Sequence, residues 1–75
     1  MQVTVETGKW AMRYVSERII HLEMPEGSTI ADIVTAIKIP PEEAGLAVIN
    51  GTSVTKEHTP SDGDVITIHP IIIGG

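Results

Sequence analysis

The sequence predicts an α+β domain in which a mixed sheet of four to five strands packs one face against a single main helix. Two periodicities carry this. Apolar and polar residues alternate in several short stretches, the pattern of half-buried strands. In one stretch apolar residues recur at i, i+3, i+4 and i+7, the pattern of a helix. The elements run strand, strand, helix, strand, short strand, strand. One helix covers only one side of a sheet, so the other side is either polar or covered by a partner.

Each element has its own signal. Residues 2–7 alternate, with Val3 and Val5 on one face. Gly8 and Lys9 open a loop, and residues 10–16 read either as a wide hairpin connection or as more strand. Residues 17–24 form the second strand, with Ile20, Leu22 and Met24 on one face and Ile19, His21 and Glu23 on the other. Pro25-Glu26-Gly27 is a turn. Thr29 and Asp32 then stand at capping-box spacing, where each side chain satisfies a backbone N–H left open by the first helical turn. Ile30, Ile33, Val34 and Ile37 form the apolar stripe that comes next. Burying each is worth roughly 1.5–3 kcal/mol. Pro40 and Pro41 are expected to stop the helix, since proline lacks the N–H and clashes with the preceding turn.

Residues 46–50 are a short apolar strand closed by Asn50-Gly51, a pair that tolerates positive φ. Residues 53–55 could pair with it briefly. Ser61-Asp62-Gly63-Asp64 is a further turn, in which Asp62 and Asp64 read as turn formers rather than as an acid/base pair. Residues 65–70 alternate again, with Ile66 and Ile68 on one face and Val65, Thr67 and His69 on the other. A flexible tail over about 71–75 ends the chain, Ile71-Ile72-Ile73-Gly74-Gly75.

Composition narrows the function classes. The 75 residues suit one domain, and a domain this small buries only about 60% of its unfolded surface. Apolar residues make up 41%, enough for a core. No apolar run is long enough to span a bilayer, and Met1-Gln2-Val3-Thr4 lacks the pattern of a signal peptide. A cytoplasmic location is expected. The net charge is −5, and Lys9, Arg13, Arg18, Lys38 and Lys56 are scattered, which argues against nucleic acid. There is no cysteine, so disulfides, thiolate metal sites and a cysteine nucleophile are excluded. His21, His58 and His69 are too widely spaced for a local metal motif, and no metal site is expected. Trp10 reads as a lid on the core or as a partner anchor.

The terminal Gly74-Gly75 adds no packing and loses the most entropy if ordered. It comes after three elements in order: Val48-Ile49-Asn50-Gly51, Ser61-Asp62-Gly63-Asp64-Val65-Ile66, and Pro70-Ile71-Ile72-Ile73-Gly74-Gly75. With Pro25-Glu26-Gly27-Ser28-Thr29-Ile30 opening the helix, this combination resembles the ThiS/MoaD family, the β-grasp (ubiquitin-like) sulfur carriers of thiamin and molybdopterin synthesis. The resemblance covers residues 22–75 and leaves the 8–16 loop unmatched.

The resemblance implies a β-grasp fold and a reactive Gly75. A carboxylate is ionised at neutral pH and is a poor acyl donor. An E1-like adenylating enzyme would join the Gly75 carboxylate to the α-phosphate of ATP, and sulfur from a sulfurtransferase would replace the adenylate. The resulting thiocarboxylate would serve thiazole synthase or the molybdopterin synthase large subunit. The chain would bind no cofactor itself and would act as a protein co-substrate rather than as an enzyme. Gly74 and Gly75, lacking Cβ atoms, make a slender tail with an open carbonyl. Ile71, Ile72 and Ile73 read either as buried strand or as a hydrophobic handle for partners, and His69 as a candidate partner contact. Two rivals remain: a ubiquitin-like modifier joined through Gly75 to lysines, and a non-catalytic β-grasp interaction module.

Overall fold

The computed structural model describes residues 1–71. Five strands, β1 (Gln2–Glu6), β2 (Ile19–Glu23), β3 (Ala44–Ile49), β4 (Thr52–Val54) and β5 (Val65–Pro70), form one mixed sheet in the order β2-β1-β5-β3-β4. The central pair β1–β5 is parallel and the other pairings are antiparallel. Helix α1 (Ile30–Ala36) lies in the crossover between the two hairpins and covers one face of the sheet.

The alternation sorts the strands as expected. Val3, Val5, Ile66 and Ile68 are buried on the helix side together with Ile30, Ile33, Val34 and Ile37. Ile20 and Leu22 are half-buried against the same core, while Ile19 and His21 are exposed. Residues 10–16 take the hairpin reading: the connection from β1 to β2 contains a short 3-10 helix, Lys9–Arg13, that seats Ala11 in the core. Trp10 is half-buried and packs against that core. Asn50 and Gly51 adopt φ of 52° and 77°, the positive pair that a two-residue hairpin requires.

The helix begins as expected. The Asp32 amide donates to Thr29 Oγ1 at 3.2 Å, and the Thr29 amide donates to Asp32 Oδ2 at 2.9 Å. It ends differently. The prolines do not stop it; the chain leaves α1 at Ile37, with Lys38 in the left-handed region at φ 66°. The Lys38 amide donates to the Thr35 carbonyl at 3.0 Å and the Ile39 amide to the Val34 carbonyl at 3.2 Å, the paired bonds of a Schellman closure. Pro41 instead opens the 3-10 turn Pro41–Glu43 that leads into β3.

Candidate functional site

The root of the tail is held by three neighbouring pieces of backbone. β5 and β3 pair antiparallel, with Leu46 opposite His69 and Ala44 opposite Pro70, so Gly45 is an extra residue in the ladder. Such a bulge bends its strand and commonly redirects the neighbouring chain. A Cβ on Gly45 would stand 2.6 Å from the Pro70 carbonyl oxygen and 2.9 Å from the Ile71 nitrogen, so only glycine lets the two strands approach this closely. Beyond the bulge, the Ile71 amide donates to the Glu43 carbonyl at 3.1 Å.

These contacts set the direction in which the chain leaves the sheet. Ile71 is 40% exposed, so burial in the strand does not account for it. His69 is exposed on the face away from α1, as expected. Ile72, Ile73, Gly74 and Gly75 lie outside the described residues. Gly45 and Glu43 were not legible as site residues from the sequence. A glycine inside a strand pattern does signal a bulge or a close backbone approach, but the alternation becomes clear only from Leu46 onward.

The open face beside this root is mixed rather than polar. Val65, Thr67 and His69 of β5 lie alongside Val48 and Leu46 of β3, with Thr67 opposite Val48 and His69 opposite Leu46. Leu46 is 47% and Val65 43% exposed; Leu46 lies near Ile71 at the tail root, while Val65 stands at the far end of β5, with the half-buried Val48 between them. At that far end of β5, the 61–64 turn is fixed by its aspartates: the Ser61 amide donates to Asp64 Oδ2 at 2.8 Å and the Gln2 amide to Asp62 Oδ1 at 2.6 Å. Both carboxylates are thus occupied in holding the turn. Among the described residues no group of three His, Asp or Glu side chains could hold a metal ion, and no helix is long and apolar enough to cross a membrane.

One tight ion pair lies away from this region. The Met1 ammonium donates to Glu23 Oε2 at 3.0 Å and to the Met24 carbonyl at 2.7 Å, which ties the first strand to the end of the second. The hydrogen bond that the Met1 ammonium donates to Glu23 raises the affinity of the Met1 amine for its proton, and the same bond lowers that of the Glu23 carboxylate.

A comparison with protein families matches residues 11–73 to Mut7-C ubiquitin. The chain belongs to the Mut7-C ubiquitin family. The match includes much of the 8–16 loop, which the sequence resemblance had left unassigned. Among solved structures, the chain is similar to a protein from Pyrococcus furiosus described as a candidate molybdopterin converting factor, subunit 1. The two are 21% identical, with 96% of this chain and 99% of that one covered and a TM-score of 0.76. It is also similar to the small archaeal modifier protein 1 of Haloferax volcanii, at 10% identity over 95% of this chain and 98% of that one, with a TM-score of 0.74. A third similar structure is the ubiquitin of Caldiarchaeum subterraneum, at 17% identity over 100% and 98% of the two chains, with a TM-score of 0.65. At these identities the shared property is the ubiquitin-like β-grasp fold, as the sequence resemblance implied. A comparison with curated proteins gives no match.

Proposed function

We propose that this Mut7-C ubiquitin domain is a sulfur carrier that reacts through its C-terminal Gly75. A partner of the E1-like class joins the Gly75 carboxylate to the α-phosphorus of ATP and releases pyrophosphate. A persulfide carried by a sulfurtransferase attacks the acyl carbon and expels AMP, giving an acyl disulfide, and a dithiol reductant cleaves the S–S bond, leaving a thiocarboxylate on Gly75 and a thiol on the sulfurtransferase. A synthase then takes that sulfur into the thiazole of thiamin or into molybdopterin. The domain is the co-substrate and the partners are the enzymes; ATP binds the adenylating partner.

The observation that carries this reading is the arrangement around Ile71. β5 ends in a clamped root, with Gly45 against Pro70 and Glu43 holding the Ile71 amide, and an exposed apolar strip runs along the open face from Val65 at the start of β5 to Leu46 and Ile71 at the root. A partner seated on that strip would hold the body while the tail enters its active site. Burying the three side chains of the strip could contribute at most about 4.5–9 kcal/mol, before association costs remove several. That balance suits a protein that must bind two enzymes in turn and leave each of them.

The second reading is a protein modifier, in which the same acyl-adenylate ends as an isopeptide on a lysine. The fold shared with a protein described as a small archaeal modifier favours it as the runner-up. Intact-mass analysis of the protein from cells making it at native level separates the two. Exchange of one oxygen for sulfur on the free chain supports the carrier. Covalent adducts with many proteins, and no such exchange, support the modifier. A plain interaction module would show neither.

A further inference from the structure

Gly45 breaks a local rule without a stability reason. A glycine inside a strand weakens it, and Gly45 is exposed, so no core contact asks for the missing side chain. What its absence permits is an approach by the neighbouring strand. An added Cβ would lie 2.6 Å from the Pro70 carbonyl oxygen, 2.8 Å from the Pro70 carbonyl carbon and 2.9 Å from the Ile71 nitrogen. All three atoms belong to one peptide unit, the one joining Pro70 to Ile71.

The same peptide is held in two further ways. The Ile71 amide donates to the Glu43 carbonyl at 3.1 Å. The Pro70 ring fixes its own φ and restricts His69 to extended backbone. The acceptor is braced in turn. Glu43 closes the 3-10 turn Pro41–Glu43; its amide donates to the Pro40 carbonyl at 2.9 Å, and the Pro41 carbonyl accepts from Lys56 Nζ at 3.1 Å. Residues 43, 45 and 70 therefore converge on a single peptide at the surface, where Ile71 is 40% exposed and Pro70 half-buried. Bulges are enriched beside active sites, where they re-aim a neighbouring group. From Ile71 to the acyl carbon of Gly75 there are four more residues, which extend to about 14 Å at most. A change of direction at the root is carried along that length to the reacting atom.

We infer that Gly45 is a positioning residue for the reaction at Gly75. With the Glu43 carbonyl and Pro70, it fixes the Pro70–Ile71 peptide and so sets the direction in which the tail is presented to an adenylating partner. This rests on Gly75 being the reacting group, as proposed above. The effect falls on delivery rather than on capture. Contact with Leu46, Val65 and Ile71 sets how tightly the partner holds the body. The root sets how often the carboxylate meets the α-phosphorus of ATP in a reactive orientation. A root fixed before binding also leaves less ordering for the partner to impose. Gly45 acts through the root, not by contact with the reacting atoms.

Two readouts test this. The chain has no cysteine, so Ser53→Cys on β4 and Gly75→Cys place a pair of nitroxide labels at known positions. Double electron–electron resonance reads the distribution of distances between them. Adding Gly45→Ala should broaden that distribution and move its mean. The second readout is ATP–pyrophosphate exchange by an E1-like adenylating enzyme with the unlabelled chain. Gly45→Ala should lower kcat about tenfold to a hundredfold with KM nearly unchanged. Val54→Ala, in the β3–β4 hairpin, controls for lost stability and should move neither readout at a temperature where every variant is folded. If Gly45→Ala does not fold, Pro70→Ala frees φ at the root without a steric push and should move both readouts in the same sense. Distances unchanged by these substitutions would overturn the positioning role. So would equal changes in Val54→Ala, or a rise in KM with kcat intact. Exchange absent even with the unaltered chain would instead overturn Gly75 as the reacting group, and the distances would still decide whether Gly45 aims the tail.

Discussion

The two faces of strand β5 are made from the same six residues and are used in opposite ways. Ile66 and Ile68 are sealed under α1, at 0% and 2% exposure, whereas Val65 is 43% exposed on the other side. The helix side obeys the rule that apolar side chains are buried. The open side departs from it and keeps apolar groups in water along the strand, from Val65 at its start to Leu46 and Ile71 near the tail. In a domain whose single core supplies roughly 3–5 kcal/mol, a face that could have been polar and is not points to a binding surface. Stability is concentrated on one side of the sheet, and the proposed contact with partners on the other.

The comparison breaks first if the buried side proves tolerant. Ile66→Ala should cost about 2–5 kcal/mol through lost burial and a residual cavity, comparable to the whole stability of the domain. Urea denaturation should find the variant largely unfolded. Gly45→Ala comes next. The added methyl cannot fit 2.6 Å from the Pro70 carbonyl oxygen, so β3 and β5 must separate. The cost should be about 1–3 kcal/mol, and the amide of Ile71 should exchange faster with solvent as its bond to Glu43 weakens.

The open face should behave in the reverse sense. Leu46→Asp with Val65→Asp should move stability by only about 0.5 kcal/mol while weakening capture of an adenylating partner about tenfold, measured by calorimetry. A melting point that falls as far as that of Ile66→Ala would erase the distinction between the faces.

The smallest expected effect concerns the Met1–Glu23 pair, which is solvent-accessible at the carboxylate. Glu23 binds its proton less tightly when folded, so its contribution is present above its unfolded pKa and fades as pH falls through the lowered value. The Met1 amine binds its proton more tightly when folded, so its contribution is present below its unfolded pKa and fades as pH rises through the raised value. Thermal melts across pH should show a shallow maximum between these limits, and Glu23→Gln should flatten it.

Much of the fold was legible from local pattern. The capping box of Thr29 and Asp32, the Asn50-Gly51 hairpin and the inward pair Ile66 and Ile68 all depend on nearest neighbours along the chain. The features that escaped the sequence depend on partners distant along the chain or on an unusual residue. α1 closes on Lys38 in a conformation that usually advertises itself with glycine, so the prolines beyond it drew the boundary instead. The Gly45 bulge has meaning only against Pro70, and the Glu43 carbonyl only against Ile71. The seating of Ala11 required the 3-10 turn Lys9–Arg13 to fold back on the core, a contact with no periodic signature. The reactive end was legible only as a resemblance, and residues 72–75 lie outside the structure described.

The central proposal is that the Gly75 acyl group reacts while the folded body serves as its handle. The direct measurement is the intact mass of the chain, and of a variant lacking Gly75, after incubation with an E1-like adenylating enzyme, ATP and a sulfur source. The account predicts that the full chain exchanges one oxygen for sulfur and that the shortened chain, with the same melting temperature, does not. Equal sulfur loading of both would contradict it.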